Sequence, residues 1–225
     1  MRRLVVLLAS VTGAVGLSLT SAAPAAAQAD CKTIEDFSKA TVGAFPQDWN
    51  VREDSGKAAY AVQEEGGRRF LHADAKELGI QAGRKFEWDL QAYPVLAWSW
   101  RPRQFPDGAD ERKSKTNDSV LAVYAVFPNW APGTVRGVKY IWSAVVLKGT
   151  HLTSSGGRTQ VLVLRTGIDQ KEQWVDERVN VLEDFKRFFG SSSVPKPEGI
   201  AVLTDSDDTK SRAQGDYANF RVCRG

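Results

Sequence analysis

The sequence predicts an all-β protein: an antiparallel β-sandwich of the jelly-roll type with one packed α-helix. Short segments of alternating apolar and polar residues, rich in β-branched side chains, recur along the chain. Turn-forming groups separate them, such as Glu65-Gly66-Gly67 and Pro106-Asp107-Gly108. These patterns predict strands at 34–37, 59–62, 70–73, 95–101, 119–127, 139–147, 159–165, 200–204 and 217–222.

One segment has helical rather than alternating periodicity. Val179, Leu182, Phe185 and Phe189 lie three or four residues apart, and Gly190 is typical of a helix C-terminus. The spacing predicts a helix over 176–189, packed on the sandwich. A shorter helix or turn is predicted around 80–88.

The first 27 residues have the organisation of a signal peptide. Arg2 and Arg3 are followed by a mostly apolar stretch over 4–19, and the alanines at 25–27 form a small-residue cleavage site. The apolar stretch is short and interrupted by Ser, Thr and Gly, which argues against a membrane anchor. We therefore expect export, to the periplasm or the medium, of a single β-sandwich domain over 28–225.

The mature chain would be almost neutral. Residues 1–27 contain two of the 30 basic residues and none of the 27 acidic ones, which leaves 28 basic against 27 acidic side chains. This balance gives no electrostatic reason to expect binding to nucleic acid or to an anionic membrane surface.

Two cysteines lie near the two ends of the mature chain. Because an even pair in an oxidising compartment favours a disulfide, we expect Cys31 and Cys223 to be bonded. First and last strands are commonly neighbours in sandwich domains, so the pair would clasp the ends of the fold.

An acidic loop follows the predicted strand at 200–204. Hard oxygen ligands are concentrated there and just before the last strand, at Asp205, Asp207, Asp208, Thr209 and Asp216. Calcium prefers such ligands, so Asp205, Asp207 and Asp216 are predicted to hold a structural calcium, together with Glu35 or Asp36. The EF-hand pattern does not fit, because Lys210 occupies the position of its glycine. The alternative is a solvated turn whose Asp side chains bond their own backbone.

Aromatic side chains alternate along three predicted strands. Trp98 and Trp100 share one face of a strand, as do Tyr140 and Trp142 on another, and Tyr124 lies on a third. If these strands are neighbours, their rings line one sheet face, where pyranose rings could stack. The predicted ligand-binding residues are Trp100, Arg101, Asp118, Tyr124, Tyr140, Trp142 and Arg165. For each ring taken alone, the alternative is the core. Trp130, in a loop, would be exposed or folded over the sheet edge.

The catalytic signals are weak. His72 and His151 suggest neither a triad nor a metal cluster, and HExxH, GxSxG and phosphate-binding Gly-rich patterns do not occur. A glycoside hydrolase needs two suitably placed acids, for which the sequence offers Asp118, Glu177, Asp205 and Asp207 without fixing their separation. We interpret the chain as a binding module rather than an enzyme.

Several segments occur in an order characteristic of a known family. They are Trp98-Ser99-Trp100-Arg101, Asn117-Asp118, Val123-Tyr124-Ala125-Val126-Phe127, Lys139-Tyr140-Ile141-Trp142-Ser143, Leu164-Arg165-Thr166-Gly167, Trp174, Glu177, Asn180, Asp184, Phe185, Phe189-Gly190 and Thr204-Asp205-Ser206-Asp207-Asp208-Thr209. With them the chain resembles the bacterial exported family known as domain of unknown function 3047, a resemblance that implies fold and export but no activity. Members often carry Asp-Asp at Asn117-Asp118 and an Arg within the strand at Ala122-Val123. More loosely, residues 216–222 are similar to the last strand of calcium-containing carbohydrate-binding jelly rolls.

The sequence therefore favours an exported, non-catalytic module that binds carbohydrate or another cell-envelope polymer. Two alternatives stay open. One is a carbohydrate-active hydrolase or lyase that uses Asp118 with an acid of the 205–208 loop. The other is an envelope structural or protein-interaction domain.

Overall fold

The computed structural model describes residues 30–129, 131 and 133–225. Within them the chain forms two facing β-sheets and one α-helix, which confirms the predicted jelly-roll-like sandwich. The predicted signal peptide, 1–27, and Trp130 lie outside the described residues. The elements are β1 (Cys31–Glu35), β2 (Trp49–Val51), β3 (Tyr60–Glu65), β4 (Arg68–Lys76), β5 (Ala82–Lys85), β6 (Val95–Gln104), β7 (Leu121–Pro128), β8 (Val135–Ser143), β9 (His151–Ser154), β10 (Thr159–Thr166), β11 (Val175–Asn180), α1 (Val181–Phe189), β12 (Gly199–Leu203) and β13 (Arg212–Cys223), with short 3₁₀ turns at Asp54–Ala59 and Ser155–Gly157.

The two sheets differ in size and in strand direction. The six-stranded sheet has the order β11-β6-β13-β4-β3, and β1 pairs with the last part of β13. The seven-stranded sheet has the order β2-β5-β12-β7-β8-β10-β9. Its β8 and β10 run parallel, whereas the other pairs in both sheets are antiparallel.

A cluster of aromatic rings fills the space between the sheets. Trp98 and Trp100 point inward from β6, and Tyr140 and Trp142 point inward from β8; all four are at most 1% exposed. The ring centres of Trp98 and Tyr140 lie 5.8 Å apart, as do those of Trp100 and Trp142. Alternation along the two strands therefore places these rings on the buried faces of opposite sheets.

The helix is shorter than the sequence predicted. Residues 175–180 form β11, which pairs antiparallel with β6, and the helix begins only at Val181. Asn180 caps it by accepting a hydrogen bond from the Glu183 amide at 3.1 Å. Gly190 ends it with a left-handed backbone, φ 62°. Val175 and Val179 lie four residues apart, a spacing that keeps two side chains on one face of either a strand or a helix, so the pattern alone does not distinguish the two here.

The second predicted helix or turn, at 80–88, is instead an extended segment, because β5 occupies its centre. Among the described residues, no helix is long and apolar enough to cross a bilayer.

The first and last strands are joined covalently. Cys31 pairs with Cys223 in the β1–β13 register, and their sulfurs are bonded at 2.03 Å. The predicted disulfide is thus present, and it closes a loop of 192 residues in sequence separation.

Candidate binding groove and acidic cluster

The outer face of the seven-stranded sheet has a depression at one side. Strand register places Gly83, Ala201, Tyr124 and Lys139 next to one another in a row across β5, β12, β7 and β8. Gly199 begins the neighbouring row, and a Cβ added to it would collide with the carbonyl oxygen of Arg84. Small residues therefore leave a depression whose floor is the backbone of β5 and β12.

This depression is one part of a longer groove. A section of about 760 Å³ is lined by Gln81, Gly83, Val126, Gly199 and other residues of β2, β5, β7 and β12. An adjoining section of about 360 Å³ continues past Tyr124 and Gly137 to β10. The two sections share Arg52, Gln81, Val126 and Val135 as lining residues. We refer to them together as the groove.

Basic side chains outnumber acidic ones along the groove. Its charged lining residues are Arg52, Arg84, Lys85, Arg136 and Arg158 against Glu87 and Glu198. Arg84 is already paired with Glu35. Arg136 lies over the rings of Phe185 and Phe189, with its guanidinium 4.9 and 5.3 Å from their centres. Arg52, Lys85 and Arg158 are exposed and can reach a ligand, although Arg52 also contacts the exposed carboxylate of Glu53 at 3.3 Å.

Tyr124 lines the groove, and its ring contacts Lys139 on the neighbouring strand β8. The Lys139 ammonium is 5.6 Å from the centre of the Tyr124 ring, within the range of a cation–π contact. Both side chains are 7% exposed. Burial opposes the charge of Lys139, but the neighbouring Tyr124 and Asp205 raise its pKa, so the residue stays cationic.

Three carboxylates lie close to Lys139 and form what we call the acidic cluster: Asp118, Asp205 and Asp207. One oxygen of each lies within 4.8 Å of the others. Asp118 is fully buried and accepts hydrogen bonds from the amides of Asp208 and Thr209, at 3.2 and 2.8 Å, and from the Thr209 hydroxyl at 2.6 Å. These bonds hold the 205–209 loop against the segment that leads into β7.

Asp205 is the most perturbed member of the acidic cluster. Burial raises its pKa to about 8; the charge of Lys139 lowers it, while Asp207 and Asp118 raise it further. Its Oδ1 is buried without a hydrogen-bond partner. The loop around it is well fixed, because the Asp205 amide donates to the Ser119 carbonyl at 3.1 Å and the Ser206 hydroxyl to the Ala75 carbonyl at 3.0 Å.

A second buried carboxylate lies under the loop that precedes β7. Glu111 is 8% exposed and accepts a hydrogen bond from the Ser143 hydroxyl at 2.5 Å, while its Oε1 has no partner. Burial raises the pKa of Glu111 above its ordinary value. The loop thus covers one end of the outer face of the seven-stranded sheet. It places there a carboxylate of which only one oxygen has a hydrogen-bond partner.

Another cavity, of about 710 Å³, lies beside β1 under the 36–48 segment. Its partly buried carboxylate, Glu35, is already used: it accepts hydrogen bonds from Arg84, from the Trp49 indole at 3.2 Å and from the Phe37 amide at 2.7 Å. These bonds give Glu35 a structural role.

The chain matches one protein family over most of its length. The family described as a protein of unknown function, DUF3047, matches residues 47–221. The protein is a member of the DUF3047 family. This confirms the resemblance noted from the sequence. A search of curated proteins finds no match to this DUF3047 chain.

The DUF3047 chain is also similar to solved β-sandwich structures. One is a family 11 carbohydrate-binding module of the cellulase Lic26A-Cel5E of Clostridium thermocellum, with 6% identity, TM-score 0.45, and coverage of 88% of this chain and 96% of that one. Another is the module CBM28, specific for non-crystalline cellulose, with 11% identity, TM-score 0.43, and coverage of 80% and 89%. A third is endoglucanase 3 of Trichoderma harzianum, family GH12, with 10% identity, TM-score 0.44, and coverage of 88% and 99%. At these values the similarity does not bear on what this chain binds.

Three of the predicted stacking rings lie in the core of this DUF3047 protein. Trp100, Tyr140 and Trp142 are buried, so a polymer cannot stack on them. Their polar atoms have internal partners: the Trp100 indole donates to Glu177 at 3.2 Å and the Tyr140 hydroxyl to Asp184 at 2.9 Å. The strands that carry Trp100 and Trp142 belong to different sheets, which is why the rings face each other. Tyr124 points away from the core on β7 and lines the groove on the outer face of the sheet.

The predicted polar residues are dispersed as well. Arg101 lies on the outer face of the six-stranded sheet, where its Nε is 2.7 Å from Asp216. Asp216 is fully buried and also binds Arg103 and His72, each at 2.7 Å, so it is not part of the acidic cluster. Arg165 bonds Glu177 at 2.6 Å, the same carboxylate that accepts from the Trp100 indole. Asp118, predicted as a ligand contact, instead joins Asp205 and Asp207.

Sequence reasoning missed Lys139, Glu111 and the basic groove lining. Lys139 had a detectable signal, since it is a charged residue at an outward position in the apolar strand β8. Glu111 and Arg52 had none, because each lies in a polar loop whose position over the sheet depends on the tertiary fold.

Proposed function

We propose that this protein is an exported, non-catalytic module that binds an acidic polysaccharide of an extracellular or cell-envelope matrix along the groove. The groove itself is the observation that carries the proposal. It is open, part of its floor is backbone, and its walls combine charged and polar side chains with the rings of Phe86 and Tyr124 and several valines. Such a shape accommodates an extended chain rather than a small metabolite.

The charge of the groove favours a polymer with carboxylate or phosphate groups. Arg52, Lys85 and Arg158 are exposed along it, whereas Glu87 and Glu198 are its only acidic lining residues among those described. The groove lining is therefore more basic than the whole chain, in which 30 basic and 27 acidic residues nearly balance. Guanidinium groups bind carboxylates in bidentate geometry, so arginines suit repeated acidic units. Tyr124 and Gln81 would contact sugar C–H groups and hydroxyls.

The test is retardation of the oxidised protein in native gels that contain soluble polysaccharides. Polygalacturonate and alginate are the acidic probes, and galactomannan and hydroxyethyl cellulose are the neutral ones. We expect retardation by at least one acidic polymer, weakened by 0.5 M NaCl. The double variant Arg52→Ala/Arg158→Ala should weaken it at least tenfold. The matched control, Arg68→Ala/Lys76→Ala, removes the same charge from exposed positions of β4 and should change it less than twofold.

The possible outcomes separate the parts of the proposal. Retardation by none of the polymers would overturn the binding module. Equal, salt-independent retardation by neutral polymers would keep the module and refute the preference for acidic chains. Release of soluble oligosaccharides during the incubation would replace the module by a carbohydrate-active enzyme.

A further inference from the structure

The acidic cluster brings together three carboxyl groups at one place in the fold. Asp118, Asp205 and Asp207 come from two loops, yet one oxygen of each lies within 4.8 Å of the others. Oxygen ligands of one Ca²⁺, each about 2.3–2.6 Å from the ion, lie up to about 5 Å apart. The spacing is therefore that of ligands around a single calcium ion.

A second observation points into the same space. Asp205 is 8% exposed, and its Oδ1 is buried without any hydrogen-bond donor. Leaving a buried carboxylate oxygen unpaired is costly unless another group binds it. This oxygen is directed toward the cluster: a Cβ placed on Gly79 would lie 2.5 Å from Asp205 Oδ1 and 2.6 Å from Asp207 Oδ1. Two carboxylate oxygens thus converge over a glycine, where no side chain occupies the space.

The surrounding charges leave room for a divalent cation. Lys139 is the buried cation that acts on Asp205, so the three carboxyl groups face a single ammonium group. Of the other nearby charges, Asp208 and Lys210 offset each other. Asp118 already accepts three hydrogen bonds and has capacity for one further partner. Asp207 is exposed, which gives an ion access from solvent.

We propose that Asp118, Asp205 and Asp207 bind one divalent cation, Ca²⁺, at the junction of the 75–79, 117–119 and 205–209 segments. The site goes beyond the polymer-binding proposal and does not depend on it. It differs from the sequence prediction because Asp118 replaces Asp216. Its ligands come from irregular loops, which suit the flexible coordination of Ca²⁺ better than the strict octahedron of Mg²⁺. The ion would stabilise the fold, since it links two loops that are about 90 residues apart in sequence.

The experiment is a CaCl₂ titration of the purified, oxidised protein after treatment with chelator, followed by calorimetric binding and by thermal unfolding. We expect one Ca²⁺ per chain and a rise in Tm of about 5–10 °C at a hundredfold excess over Kd. Asp207→Asn should weaken binding at least tenfold. Asp208→Asn, an equally exposed change of the same charge one residue away, should leave it within twofold.

Asp205→Asn provides an independent check on the fold of the variants. It replaces the buried carboxyl group by a neutral amide of the same shape, so the metal-free variant should stay folded while its response to Ca²⁺ is lost. Absence of binding and of a Tm shift with 10 mM CaCl₂ in the wild type would overturn the proposal. Equal losses in Asp207→Asn and Asp208→Asn would also overturn it, since they would indicate screening by the acidic loop. Tighter binding of MgCl₂ than of CaCl₂ would refute the choice of ion.

Discussion

Replacing Trp100 by alanine separates a core role from a ligand-binding role. Trp100 is fully buried, and its ring centre lies 5.3 Å from that of Trp98 and 5.8 Å from that of Trp142. Truncating such a tryptophan removes its burial and leaves a cavity between the sheets, which costs about 3–5 kcal/mol. The lost indole donor adds little, because Glu177 keeps its bond to Arg165 at 2.6 Å. Since single domains have about 5–15 kcal/mol of stability, the variant should lose a large part of its free energy of unfolding.

The assay is urea denaturation followed by fluorescence and circular dichroism. Trp100→Phe, which keeps a ring in place, should lose about 1–2 kcal/mol and remain folded. Leu147→Ala is the surface control, because Leu147 is 73% exposed, and it should change stability by less than about 0.5 kcal/mol. Folded Trp100→Phe should bind polymer as the wild type does. A loss below about 1 kcal/mol in Trp100→Ala, together with weaker polymer binding, would contradict the core position of this ring.

Three further predictions concern buried charges and the disulfide. Asp216→Asn should cost about 3–5 kcal/mol in urea denaturation, because it leaves two arginines without their shared buried anion; an unchanged midpoint would contradict this. Cys31→Ser/Cys223→Ser should cost about 3–5 kcal/mol by the same assay, as expected for loss of a long closed loop, and an equally stable variant would refute it. Burial raises the folded-state pKa of Glu111 above 4.5, so the folded state keeps its proton longer than the unfolded state as pH rises. Its contribution is therefore complete below pH 4.5 and is lost as pH rises through the higher folded-state pKa. Glu111→Gln should flatten the fall in Tm above pH 4.5 relative to wild type, and parallel pH profiles of the two proteins would count against the assignment.

Local patterns were sufficient to predict the sandwich and most of its strands. Alternation along β6 and β8 correctly paired Trp98 with Trp100 and Tyr140 with Trp142 on shared strand faces. Alternation could not reveal which sheet each strand joins. Because β6 and β8 belong to different, facing sheets, their rings form a core rather than an exposed surface. The same limit applies to β11, where the four-residue spacing of Val175 and Val179 fits one face of a strand as well as one face of a helix.

The candidate site was less accessible from sequence. The cluster partners Asp205 and Asp207 are near neighbours in one acidic loop, so they could be proposed from sequence. Asp118 joins them only because the turn before β7 folds against that loop, about 90 residues away along the chain. Asp216 was wrongly included because it follows the loop in sequence, whereas strand pairing places it opposite Arg101 and His72.

The backbone floor of the groove has a consequence for how this surface can change during evolution. A side chain at Gly199 would collide with the Arg84 carbonyl, and one at Gly137 would come within 3.2 Å of the Ala125 carbonyl. Side chains at these two positions would therefore disturb the pairing of the strands themselves. Exposed rim positions such as Arg52 and Arg158 carry no such constraint. New ligand preferences should consequently arise by exchange of rim side chains over a floor of constant depth.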